Sequence, residues 1–136
     1  MTTARINRLK ELLPSAGLDA LALNPGPSLV YLTGLHLHLM ERPMIALFTP
    51  AGESALVIPE LEIAKARDLP FSPQVFTYND DPATWSDVYR KACAALGLEG
   101  KTIGVEPTRM RVLELRMLES GAPQAQFVSA QAILAA

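Results

Sequence analysis

Between Gly17 and Gly34 the chain reads GLDALALNPGPSLVYLTG, and this stretch leaves little freedom in what can surround it. Ala20 to Leu23 is an apolar run of strand length bounded by turn formers. Asn24-Pro25-Gly26-Pro27 is a turn: Pro fixes φ, Gly admits φ > 0, and Asn bonds its own backbone. Ser28 to Thr33 then reads as a short helix, with Pro27 at its start and Gly34 as its stop. A strand that delivers a compact turn and a short helix to one edge of a sheet presents a surface there.

Around this stretch the pattern alternates between helix and strand. Thr3 to Ala16 is predicted helical, since Ile6, Leu9 and Leu13 share one face while Arg5, Arg8, Lys10 and Glu11 point outward. Pro14 bends or ends that helix, and Gly17 closes it. Leu35 to Glu41 (LHLHLME) alternates strictly, so an extended conformation puts His36 and His38 on one face and the leucines on the other. Arg42 to Thr49 and Ser54 to Ile58 are predicted strands joined by a hairpin loop at residues 50–53, hence antiparallel. Pro59 to Glu62 opens a helix running to about residue 68, and QVFTY at 74–78 is a strand. Asn79-Asp80-Asp81-Pro82 is a helix start; Trp85, Val88, Tyr89, Ala92 and Leu96 follow at helical spacing, with Gly97 and Gly100 ending the run. TIGV at 102–105 is a strand. Glu106-Pro107-Thr108 leads into a helix through Leu118, stopped by Gly121-Ala122-Pro123. Gln126 to Val128 is a last short strand, and a helical run begins at Ala130. Such alternation implies an α/β domain: a mixed sheet of five to six strands, with one antiparallel hairpin, flanked by helices in a three-layer-like arrangement.

The 136 residues suit one domain, and an apolar share of 49% with only 6% aromatic gives an aliphatic core. A net charge of −2 argues against nucleic acid, whose binders carry basic patches. The cluster Arg109-Met110-Arg111, with Arg116, reads as a solvated helix face. No run approaches the length of a membrane span, and the N-terminus does not read as a signal peptide. Cys93, among Ala92, Ala94 and Ala95, reads as a small packing residue, and a single cysteine fits a reducing, cytoplasmic setting.

Chemistry-bearing motifs are scarce. His36 and His38 are the only histidines. As a metal pair they would need a third protein ligand, with Glu41 the available neighbour. They read otherwise as a polar face, or, with Arg42, as groups projecting toward a ligand or partner. Asp80-Asp81 reads as a helix cap rather than an acid–base pair, as do Glu60 and Glu62. Glu106 follows a strand end, where α/β proteins place function, but reads as the cap of the Pro107 helix. There is no nucleophile elbow, phosphate loop or H-E-x-x-H, so no catalytic or metal residue is assigned.

In order and spacing, several pieces resemble the N-terminal domain of the creatinase/prolidase/aminopeptidase P family, the "pita-bread" metallopeptidases. They are GLDAL at 17–21, Asn24-Pro25, YLTG at 31–34, Glu41-Arg42-Pro43 before an apolar strand, a hairpin at Gly52, VIPELE at 57–62 and IGVE at 103–106. The resemblance implies that family's ribonuclease H-like N-terminal fold over residues 1–130, with 131–136 starting a linker to a C-terminal catalytic domain. That domain would hold two divalent metals (such as Mn, Co or Zn), leaving none here. It implies partners too: the catalytic domain, a second subunit in a homodimer, and short proline-containing peptides. A domain of this kind helps build the dimer and restricts substrates, and His36, His38 and Arg42 would contact the substrate's carboxylate. Two other readings stand beside this one: a free-standing α/β module binding a small ligand, and a creatinase-like amidinohydrolase parent. Exposed apolar surface is expected where other parts would pack, with Leu35, Leu37, Leu39 and Met40 as candidates.

Overall fold

The computed structural model describes residues 2–134 apart from 39, 68 and 70. Leu39 and residues 135–136 of the expected linker therefore lie outside the described residues. Six strands form one mixed sheet: β1 (Ala20–Leu23), β2 (Ile45–Phe48), β3 (Ser54–Pro59), β4 (Gln74–Tyr78), β5 (Thr102–Val105) and β6 (Gln126–Ser129), in the order β4-β3-β2-β1-β5-β6. The β2–β3 hairpin is antiparallel, and β2 also runs antiparallel to β1. The pairs β1–β5, β3–β4 and β5–β6 are parallel.

Helices cover both faces. On one, α1 (Thr2–Ser15), α2 (Pro27–Thr33) and α5 (Gln131–Leu134) bury Leu9, Leu13, Leu29, Leu32 and Ile133 against Leu21, Leu23, Phe48 and Leu56. On the other, α3 (Trp85–Ala95) and α4 (Val112–Gly121) bury Tyr89, Ala92, Cys93 and Leu118 against Ala20, Ala22, Leu47, Val57 and Ile103. The alternate residues of β1 thus serve the two cores in turn, as a doubly covered strand requires.

Three sequence expectations change. The segment after Pro59 is a 3-10 helix over Glu60–Ala66 in which no residue is buried; without an apolar face to pack, little favours a longer α-helix. The Glu106-Pro107-Thr108 segment is a turn rather than a helix start. The Glu106 carbonyl accepts from the Arg109 and Met110 amides, Arg111 is extended, and α4 begins only at Val112. Gly121 is the last residue of α4 rather than its stop, and its role is packing. A Cβ there would sit 3.1 Å from both Cys93 Sγ and the Tyr89 carbonyl, so its absence lets α3 and α4 close.

Cys93 is buried, as its alanine-rich setting suggests, and burial pushes its thiol up to about 11. Burial also raises the phenols of Tyr78 and Tyr89 above the usual tyrosine range. An acid harder to ionise when folded loses stability as pH rises, because the unfolded chain releases its proton first. Urea unfolding is therefore expected to show stability falling from about pH 9 upward, with the thiol's share lost by about pH 11. Replacement of Cys93 by Ser is expected to flatten the first part of that fall.

Candidate functional site

The segment joining α2 to β2 carries the sequence-assigned residues, and both its ends are fixed. At the first end, Gly34 adopts φ 78° and its amide donates to the Val30 carbonyl, a left-handed helix stop that favours glycine. The Thr33 hydroxyl donates to the Leu29 carbonyl at 2.7 Å and accepts from the Leu35 amide at 3.0 Å. These contacts turn the chain out of the helix in a defined direction.

Beyond them the alternation holds from Leu35 to His38, although no strand forms among the described residues. His36 and His38 are exposed, Leu35 is buried, and Leu37 and Met40 are partly buried against the core. The expectation that Leu35, Leu37 and Met40 form exposed apolar surface is therefore wrong. A period of two says that the two faces differ; it does not say which one meets water. Among the described residues, the large apolar side chains that are most exposed are Leu61, Val112 and Tyr31.

Arg42 is half-buried and its guanidinium meets Asp80 at 2.7 Å. Asp81, the next residue, accepts from the Ala83 amide and so does the capping. Of the Asp80-Asp81 pair, only the second is the expected cap. With Asp80 72% exposed, the Arg42–Asp80 pair contributes roughly 0–1 kcal/mol, so it is an exchangeable contact.

The other end of the segment is held from a distance. Arg111, immediately before α4, donates to the carbonyls of Met40 (2.6 Å) and Arg42 (3.2 Å). It also donates through Nε to Glu114 Oε1 at 2.9 Å, and a second hydrogen-bonded ion pair joins its terminal nitrogen to Glu114 Oε2. That hydrogen bonding to Glu114 raises the Arg111 pKa above its ordinary value. Glu114 is fully buried and accepts from the Met44 amide at 3.1 Å. The Tyr78 hydroxyl donates to the Pro43 carbonyl at 2.5 Å. Reading the arginine cluster as a solvated face therefore fails at Arg111. The signal available in the sequence was a glutamate three residues after Arg111, at the third position of α4. It is visible only once the helix start is placed correctly.

Glu106 also departs from its expected role. Its Oε2 accepts from the Ser28 hydroxyl at 2.6 Å, linking the carboxyl end of β5 to the first turn of α2. A concavity of about 360 Å³ lies between α1, α2 and α5, with Leu9, Leu12, Leu21, Leu23 and Ile133 among its lining residues, and Arg5 stacks over the Tyr31 ring there. None of His36, His38 and Arg42 lines it. Among the described residues, no three His, Cys, Asp or Glu side chains gather as a metal group.

The architecture is thus a doubly covered mixed sheet that holds an exposed, histidine-bearing segment by both ends. The Creatinase/Prolidase N-terminal domain family matches residues 5–136, and the chain belongs to that family. A curated relative, "Putative dipeptidase YkvY" of Bacillus subtilis (strain 168), is 27% identical over 130 residues, which are 96% of this chain and 36% of the relative. The chain thus spans about a third of that relative's length. Among solved structures, a dipeptidase from Pyrococcus horikoshii OT3 superimposes with a TM-score of 0.81 at 24% identity, over 96% of this chain and 35% of that one. The creatinase/prolidase N-terminal domain of an X-Pro dipeptidase from Streptococcus pyogenes, solved by itself, gives 0.80 at 23% identity, over 97% of each chain. No described helix is long and apolar enough to cross a membrane.

Proposed function

We propose that this chain is the non-catalytic N-terminal domain of an Xaa-Pro dipeptidase or aminopeptidase P-type metallopeptidase, working in the cytoplasm. In this reading residues 1–130 are the domain and 131–136 lead toward a catalytic domain, which holds the two divalent metal ions. This chain's own work is to help pair two subunits and to restrict the active site to short proline-containing peptides. One observation carries the reading. His36 and His38 both face outward on a segment whose Leu35 and Leu37 turn inward and whose two ends are tied down. Imidazoles held in that way can meet a peptide carboxylate at low entropic cost. Arg42 sits at the same segment's end, and a substrate carboxylate can displace the exposed Asp80 from its fork.

The test uses the native polypeptide that contains this domain, assayed on Xaa-Pro dipeptides with divalent metal. The double variant His38→Ala, Arg42→Ala is expected to raise KM about tenfold or more, the loss that goes with hydrogen bonds to a charged group. A contact shared by ground state and transition state leaves kcat nearly unchanged. Unchanged KM and kcat would remove both residues from substrate binding.

A further inference from the structure

Residues 40–44 form no regular secondary structure, yet four of their backbone groups are taken by side chains far away in sequence. Arg111 takes the carbonyls of Met40 and Arg42, Tyr78 that of Pro43, and Glu114 the amide of Met44. The separations are 71, 69, 35 and 70 residues. All three guanidinium nitrogens of Arg111 are used, on Glu114 and on the two loop carbonyls. Glu114 fixes the plane of the fork, and the fork then fixes the backbone. A lysine, a point charge without that planar geometry, cannot do the same.

We infer that Arg111 and Glu114, assisted by Tyr78, are positioning residues: they clamp the loop end at 40–44 and thereby set where His36, His38 and Arg42 stand. The enzymatic consequence rests on the function proposed above; the clamp itself does not. Thr33 and Gly34 hold the first end through contacts local to α2, so only the second end depends on α4 and β4. Loss of the clamp therefore frees one end of the loop and leaves the sheet pairing intact.

The experiment compares Arg111→Met, Arg111→Lys and Tyr78→Phe in the 136-residue chain by amide hydrogen exchange. Arg111→Met is expected to speed exchange of the Met44 amide, which Glu114 holds, about tenfold or more, the scale for losing charge-assisted hydrogen bonds. Removing Arg111 also leaves the buried Glu114 without its cation and lowers global stability, so the β1 and β5 amides speed up as well; the Met44 amide is expected to remain about tenfold or more faster than they are, as local opening requires. Arg111→Lys falls between Arg111→Met and the parent. If Arg111→Met does not fold, Tyr78→Phe, which removes one neutral hydrogen bond and keeps the shape, gives a local increase of about fivefold. An unchanged Met44 rate, or a Met44 amide that exchanges no faster than the β1 and β5 amides of the same variant, would overturn the inference. In the intact peptidase, Arg111→Lys is expected to raise KM for Xaa-Pro dipeptides with kcat retained. A loosened loop with unchanged KM upholds the clamp and overturns the substrate role of the histidines, so the two failures are distinguishable.

Discussion

Glu114→Ala is expected to destabilise the domain by about 3 kcal/mol, near the low end of the cost of breaking a buried ion pair. Glu114 has no exposed surface and serves two partners that cannot easily find others. Its loss leaves the Met44 amide buried without an acceptor, and Met44 is itself 0% exposed. It also strips Arg111 of its carboxylate. The Arg111 side chain keeps 28% exposure and so can recover some hydration, which is why the low end applies. For a domain of this size the loss corresponds to a Tm lower by roughly 10 °C. Glu114→Gln keeps the shape and a neutral acceptor for Met44, and is expected to cost about half as much. Urea unfolding measures both, and a loss below about 1 kcal/mol for the alanine variant would show that the clamp contributes little to the fold.

Gly104→Val is expected to cost about 3 kcal/mol or more for a different reason, overpacking at a strand that cannot move. Gly104 lies in β5 between Leu21 of β1 and Val128 of β6. A Cβ there would meet Leu18 Cδ1 at 2.7 Å and Ala130 Cβ at 2.9 Å. The Leu18 side chain can turn aside, but the Ala130 Cβ is fixed to its backbone, whose amide donates to the Val105 carbonyl at 2.8 Å. Relief thus needs a shift of the β6–α5 junction away from the sheet. Gly104→Ala carries the same Cβ without the branches and is expected to cost about 1–2 kcal/mol. Thermal unfolding of both variants checks the order; equal stability of Gly104→Val and the parent would show that the junction yields freely.

The sheet was legible because its strands are short apolar runs with abrupt ends. β1, β4 and β5 lie where Ala20–Leu23, Gln74–Tyr78 and Thr102–Val105 were predicted, bounded by Asp19 and Asn24, by Pro73 and Asn79, and by Lys101 and Glu106. Helix α2 was legible from Pro27 and Gly34 alone. The segment 35–40 was half legible. Alternation separated histidines from leucines, but the inward face depends on packing that a period of two does not encode. Strand β2 starts at Ile45 rather than at Arg42, because residues 40–44 give their backbone groups to Arg111, Tyr78 and Glu114. Those partners are too far along the chain for any local rule to pair them. Glu106 failed in the same way: its carboxylate bonds Ser28, 78 residues distant, while the helix it was expected to cap starts further on.

The proposed function requires this domain to work as part of a longer polypeptide, and the mass of the native protein in its source cell tests that most directly. An antibody raised against this domain is expected to detect a species roughly three times its 14.7 kDa, since the chain covers 36% of the Bacillus relative. A native species near 14.7 kDa would contradict that role and leave a free-standing domain, for which the exposed histidines would need another ligand.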